Sequence, residues 1–285
     1  MVDLAYLIEK KMAGRWIAGP EADDAIALAK RINKKGMAVM INYLGEDFAS
    51  MHDVADAIGT YIMLVDAMVG YRINGDISVK PTSLGLKISK DRFEFNCREV
   101  VEHAKKKGIF VWLDMEGSEG VEETIAIYLK LAKLGNVGIC LQSYLKRSEA
   151  DLRRIIRAGG IVRLVKGAYK QDPRTTFSSK AETTESYKKM MVYLFKNSER
   201  FMIATHDEWM IEEAIRMNRE YKRHVTYAML NGIKNQLAIR LAEKGEKVSL
   251  YVPFGKRWVG FSYRRVKEGG HIPLILRSVF KNQTI

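Results

Sequence analysis

The chain has 285 residues, 47% of them hydrophobic, and a formal net charge of +13. That length and hydrophobic share suffice for a substantial core and exclude a disordered chain, while no apolar run approaches the roughly 20 residues of a membrane-spanning helix. Two cysteines, Cys97 and Cys140, are too few for a disulfide framework or a cysteine-based metal site.

The opening stretch MVDLAYLIEKKMAGRW carries acidic residues and no small-residue cleavage site behind an apolar core, so no signal peptide is expected and the protein reads as cytoplasmic. A helical N-terminal extension, residues 1–35, leads into a sequence of alternating patterns. GMAVMINYLG, from Gly36, is a short apolar run bounded by turn residues, as a buried strand is. FASMHDVADAIGTYIMLVDAMV then spaces its apolar residues by three and four, as an amphipathic helix does. The strand pattern returns at ISVKPTSLG (from Ile77), GIFVWLDMEG (from Gly108), VGICLQSY (from Val137) and GIVRLVKGAY (from Gly160), and again at FMIATHD (from Phe201), HVTYAML (from His224) and KVSLYVPFG (from Lys247). The helical pattern falls between them, in FNCREVVEHAKKK, GVEETIAIYLKLAKLG, SEADLRRIIRAG, TTESYKKMMVYLFKN, DEWMIEEAIRMNRE and GIKNQLAIRLAEKG, and once more at the end in RWVGFSYRRVKEGG. Ser148 with Asp151 predicts an N-terminal cap, and Gly135, Gly245 and Gly269 predict helix stops.

Strands alternating with helices, with no Pro-, Gly- or Ser-rich linker, predict an α/β protein. The expected fold is a (β/α)8 TIM-like barrel forming a single domain over residues 1–285, with the helical extension inside it. A doubly wound open sheet would call for a glycine-rich turn after the first strand, and NYLGEDF offers one glycine. The basic residues are spread over expected helix surfaces in short groups such as KRINKK and KKK, with no basic tail or RNA-binding motif. They predict a solvated basic surface and no nucleic-acid partner; contact with an anionic membrane stays open.

Barrel active sites lie where the strands end, and here strand after strand ends in polar residues. These are Lys80, then Asp114 and Glu116, then Gln142 to Tyr144, then Arg163, Lys166 and Tyr169, then Thr205 to Asp207, then Tyr251. Buried polar groups are costly unless paired, so the repetition predicts a site. The five histidines include no HExxH and no close pair, so no metal is expected. The excess of Lys and Arg over carboxylates predicts an anionic ligand. A Schiff-base role for Lys80 or Lys166 remains conceivable at this point. In the last helical pattern Glu268 can brace Arg264 or Arg265, either as a surface salt bridge or as support for an arginine pair that grips a substrate carboxylate.

RLVKGAY, THD, YVPFG and RRVKE occur in this order and together resemble the proline dehydrogenase family, in its short, single-function flavoenzymes. WIAGPEADDAIALAKRINKKGMAVMINYLGE, SVKPTSLG, LDMEG, LQSYLKR and SKAETTESY extend the likeness over nearly the whole chain. The resemblance implies a distorted barrel with noncovalent FAD. It implies oxidation of L-proline to Δ1-pyrroline-5-carboxylate by hydride transfer to the flavin N5, with electrons passed to a membrane quinone. A peripheral position on the inner face of the cell membrane would follow. Catalytic roles would fall to Lys80, Asp114 and Arg163. Lys80, Arg264 and Arg265, the arginines oriented by Glu268, would bind the proline carboxylate, while Tyr169, Leu230, Tyr251 and Phe261 would pack around its ring. Gln142, Arg163, Val165, Lys166, Gly167, Ala168, Tyr169, Thr205 and His206 would line the FAD, and Lys180 would reach its pyrophosphate.

Arg163 and Lys166 interrupt an otherwise apolar strand. Alternation puts Arg163 inside the barrel, toward the flavin ring, and leaves Lys166 for the anionic part of the cofactor. The competing reading pairs both cations with carboxylates such as Asp114 and Glu116. Three positions depart from the family pattern. Phe261 stands where a tyrosine is common, Thr226 and Ala228 where a glutamate and a glutamine are usual, and Asp207 where an asparagine often follows the histidine. A flavoenzyme acting on hydroxyproline or a related cyclic imino acid is therefore one alternative, and a lysine-dependent aldolase on the same fold is another.

Overall fold

The computed structural model describes residues 16–169, 171–258 and 261–262. Its strands are β1 (Ala38–Tyr43), β2 (Gly75–Val79), β3 (Val111–Leu113), β4 (Val137–Gln142), β5 (Val162–Val165), β6 (Arg200–Ala204), β7 (His224–Leu230) and β8 (Val248–Phe254). All pairings are parallel, each strand lies beside its neighbour in the chain, and β8 returns to β1 to close the barrel. Between the strands run α2 (Met51–Gly70), α3 (Lys90–Lys106), α4 (Val121–Leu131), α5 (Ser148–Arg157), α6 (Lys180–Asn197), α7 (Glu208–Tyr221) and α8 (Asn235–Glu243), with α1 (Ala22–Asn33) ahead of β1. The (β/α)8 expectation is met. Of the last helical pattern, residues 257–270, only 257–258 and 261–262 are described, with 258, 261 and 262 helical; the rest, Gly269 included, lies outside the described residues.

Period-two alternation separates two cores. Val39 and Ile41, Val111 and Leu113, Val162 and Leu164, and Leu250 and Val252 join the shell packed against the helices. The residues between them point inward. Met40, Phe110, Trp112, Met202 and Ala228 fill the lower barrel as a second cluster. Above it the inward positions turn polar: Ser78 and Lys80, Asp114, Gln142 and Arg163 are all buried. Ala228, one of the departures from the family pattern, thus belongs to an apolar plug that also holds Trp112.

Of the expected N-terminal extension, residues 1–15 lie outside the described residues. The described part is a non-helical strap followed by α1. Ala18 N–H donates to Pro253 O and Gly255 N–H to Gly19 O, each at 2.9 Å, which fixes the strap along β8. Trp16 and Ile17 pack with Leu44, Leu230, Ile233 and Phe261, and the Trp16 indole donates to Ser262 Oγ at 3.2 Å. Gly135 and Gly245 end their helical segments in the left-handed region, as expected. The cap expected at Ser148 is not formed. The helix begins with Ser148 itself, and its hydroxyl donates to Gln142 O at 2.6 Å. Ser148 therefore occupies the first helical position and not the capping one, and its hydroxyl serves as a donor to the carbonyl that ends β4.

Candidate active site

A cavity of about 840 Å³ opens at the C-terminal ends of the strands. The described residues to which the resemblance assigns a role all line it: Lys80, Asp114, Gln142, Arg163, Val165, Lys166, Gly167, Ala168, Tyr169, Lys180, Thr205, His206, Leu230, Tyr251 and Phe261; of the polar strand ends, Glu116 and Ser143 do not. Arg264, Arg265 and Glu268 lie outside the described residues.

Asp114 is the centre of the floor. It follows β3, and four donors converge on its carboxylate. Ser78 Oγ at 2.6 Å and the Arg163 guanidinium reach Oδ1; Lys80 Nζ at 3.1 Å and Tyr251 Oη at 2.9 Å reach Oδ2. Lys80, Asp114 and Arg163 are all almost wholly buried. Burial by itself would raise the Asp114 carboxyl, but Lys80 and Arg163 outweigh it and hold the group well below the usual carboxylate range. Burial would likewise strip Lys80 of its proton. The surrounding Tyr169, Asp114 and Tyr251 reverse this and push Lys80 well above its ordinary value. A lysine nucleophile needs the opposite shift, so the surroundings of Lys80 oppose the aldolase reading.

Arg163 combines the two readings of its strand. It pairs with Asp114, touches the Met40 sulfur, and still lines the cavity. Its Nε–H is buried without a hydrogen-bonding oxygen or nitrogen, and the guanidinium also interacts with the Cys140 thiol. Gln142 donates from Nε2 to Met115 O at 2.9 Å, and its Oε1 is also buried without a partner. A donor and an acceptor are therefore left unsatisfied on residues of adjacent strands that line one cavity, the two atoms themselves being closed to solvent. Such orphans are costly unless a ligand completes them, and a flavin's dione edge offers both an N–H and acceptor atoms. Gly167 adopts φ +110°, and a Cβ there would lie 2.1 Å from the Tyr144 ring, so backbone and ring are in van der Waals contact only because the side chain is hydrogen. These residues fit a flavin.

The polar end of the cavity is built from two helix starts. Ser179 caps α6 through a capping box with Glu182, placing Lys180 in its first turn. Asp207 caps α7, accepting from Met210 N–H at 3.4 Å, and its other oxygen pairs with Lys166 at 3.2 Å. Lys166 is thus matched with a carboxylate, though with Asp207 and not with Asp114 or Glu116. Leu230 N–H donates to His206 Nε2 at 2.9 Å.

Several contributors were not legible as site residues. Met40 and Ser78 lie mid-strand in apolar runs; only their alternation with Asn42 and Lys80 marks the inward face. Tyr169 Oη, which receives the Lys80 ammonium at 3.3 Å, donates to Glu46 at 3.2 Å, a contact spanning much of the chain. Tyr144, expected from its place at a strand end, lines the cavity and meets Gly167 through its ring. The capping box at Ser179 was readable from S-x-x-E. Glu116 accepts from Thr82 N–H and Oγ1 at 2.9 and 2.8 Å, and burial pushes its carboxyl up to about 7. Among the described residues no cluster of His, Cys, Asp and Glu could hold a metal ion, and no helix is long and apolar enough to cross a membrane.

This geometry has relatives. The family model described as Proline dehydrogenase matches residues 25–273. Proline dehydrogenase 2 of Bacillus subtilis is 30% identical over 276 residues, 95% of this chain and 90% of that protein. The proline dehydrogenase of Deinococcus radiodurans is 30% identical over 266 residues, 90% of this chain and 86% of that one. Among solved structures, proline utilization A from Bdellovibrio bacteriovorus, inactivated by N-propargylglycine, superposes with a TM-score of 0.86 at 23% identity. Proline utilization A from Corynebacterium freiburgense superposes with 0.79 at 21%. These two share the fold, and this chain, nearly all of which is covered, spans 35% and 33% of their lengths. A family model matched over most of the barrel, and relatives matched over almost their full lengths, establish that the chain belongs to the proline dehydrogenase family.

Proposed function

We propose that the protein oxidises L-proline to Δ1-pyrroline-5-carboxylate, using noncovalent FAD and passing the electrons to a quinone. The observation that carries this is the unpaired Gln142 Oε1 and Arg163 Nε beside the Asp114 cluster, in a cavity whose volume far exceeds what proline needs. The cofactor, when bound, supplies the acceptor for the hydride that leaves the ring carbon next to nitrogen.

The chain's own residues bind, orient and neutralise. Lys80, kept protonated by its neighbours, offers a fixed positive charge to the substrate carboxylate, with Arg264 and Arg265 as partners and Glu268 to orient them. Tyr169, Leu230, Tyr251 and Phe261 give the pyrrolidine ring an apolar wall. Arg163, held by Asp114, would offer a bound flavin a fixed guanidinium to offset the negative charge that reduction brings. Gln142 fixes the ring edge, while Val165, Gly167, Ala168, Thr205 and His206 line it. Lys166 and Lys180 face the phosphates. No residue is assigned as general base: with the substrate held at transfer distance, the amine can release its proton to solvent, and positioning is the main contribution. Residues 1–285 act as one domain, with the helical N-terminal extension inside it. The net charge of +13 supports peripheral contact with an anionic membrane, where a quinone would be met.

The test is the visible spectrum of the purified protein before and after L-proline without oxygen. A flavin band that bleaches is the expected result. A band that persists moves the substrate to another cyclic imino acid. No band after incubation with FAD rejects the cofactor assignment.

A further inference from the structure

The polar wall of the cavity carries carboxylates that the proposed function does not use. Lys166 and Asp207 both line the cavity and pair at 3.2 Å, each about one-third exposed. Next along the chain, Glu208 pairs with Lys234 at 2.7 Å, and these two also line it. A wall that receives a dianionic dinucleotide gains most from unmatched cations. Here an ammonium aimed at the cavity is already matched by an acid that α7 holds in place, because the same carboxylate caps that helix through Met210 N–H.

We propose that Asp207 sets cofactor affinity: its carboxylate competes with the dinucleotide's phosphates for Lys166 and so weakens their hold. This rests on the reading that the cavity takes FAD. The physical argument is electrostatic substitution. A phosphate approaching Lys166 must displace or share the Asp207 carboxylate, and either way it meets a like charge close by. The effect is bounded, because the pair is partly exposed and screened. Such pairs are worth a factor of a few in an equilibrium constant. The consequence is a cofactor that exchanges more readily than the lysines of the wall alone would allow.

Asparagine at this position separates charge from shape. Asp207→Asn keeps the side-chain oxygen that caps α7, since Asn and Asp cap equally well, and removes only the charge. The full-length protein, stripped of flavin, is titrated with FAD and with riboflavin, which has no phosphate. Dissociation constants are measured by flavin fluorescence at about 20 mM and about 0.5 M salt, on either side of the range where screening becomes strong. The expected result is FAD binding about three- to fivefold tighter in Asp207→Asn at low salt, a gain that shrinks at high salt, and riboflavin binding unchanged. In a Lys166→Met background the same substitution should gain nothing. An unchanged or weaker FAD constant in Asp207→Asn, with wild type binding FAD normally, overturns the proposal and leaves the flavin assignment standing. An equal gain for riboflavin also overturns it, since the effect would then be packing. A wild-type protein that binds neither flavin removes the cofactor reading, and the proposal with it.

Discussion

Replacing Asp114 by asparagine removes one charge from a place where two buried cations depend on it. The carboxylate takes Ser78 and Arg163 on one oxygen and Lys80 and Tyr251 on the other. A carboxamide has the same outline but one acceptor oxygen, and its NH2 would face donors on the other side. Lys80 and Arg163 are each 5% exposed, so water does not replace the lost partner. Breaking a buried pair typically costs about 3–5 kcal/mol; Lys80 keeps Tyr169, which places Asp114→Asn near about 4 kcal/mol. That is a large part of a typical stability of about 5–15 kcal/mol. The assay is urea unfolding near neutral pH, followed by circular dichroism. A second variant isolates the cause: adding Lys80→Met to Asp114→Asn should recover about 1–2 kcal/mol, because one stranded ammonium is gone. A loss below about 1 kcal/mol in the single variant, or a double variant worse by the sum of the two singles, would refute the view of Asp114 as the shared counter-charge.

Glu116 makes a pH-dependent prediction. Burial, only partly offset by Lys80 and the Thr82 hydrogen bonds, raises its carboxyl from 4.5 to about 7. The folded protein therefore holds a proton that the unfolded chain has released between those values, and stability falls as pH rises through this window. Relative to Glu116→Gln, wild type should lose roughly 3 kcal/mol between about pH 4.5 and pH 7 and change little beyond it. Asp114 stays ionised throughout and does not contribute; parallel curves in urea titrations at several pH values would contradict the assignment. Gly167→Ala must move the Tyr144 ring or abandon a left-handed backbone, and flavin should bind about tenfold more weakly, read as the ratio of visible to ultraviolet absorbance after purification. Burial pushes the Cys97 thiol up to about 12 and also raises Cys140, so a thiol reagent should find neither in the native protein and both in urea.

The barrel was legible because its strands are buried on both faces and so read as unbroken apolar runs. VGICLQ is buried along its whole length and is a strand over just those residues. The floor of the site was legible in part for the complementary reason: Lys80, Asp114, Gln142 and Arg163 are polar where the rhythm demands apolar. Two kinds of fact were not legible. One is a contact between residues far apart in the chain, such as Glu46 with Tyr169 or Thr82 with Glu116, which no local pattern encodes. The other is competition for a single group. Ser148 has the sequence of a cap, but the helix begins at Ser148 itself and its hydroxyl donates to Gln142 O; and Arg163 was framed as serving either a carboxylate or the cavity when its several nitrogens let it serve both.

The closure of the barrel has a consequence for how the protein comes into being. β1 is paired along its whole length with β8, from Ala38 with Ser249 to Tyr43 with Phe254, so one edge of the first strand must wait for the last. During synthesis the growing sheet carries an open, apolar border until β8 emerges, and this is the interval in which it is most prone to stick to other chains. Tyr251 arrives on that same strand, so the ligand set of Asp114 is completed by the step that seals the sheet. Until then a buried acid and two buried cations are only partly matched. A truncated or stalled chain ending before β8 is therefore expected to be a poor fold as well as an inactive one, and a ready target for quality control.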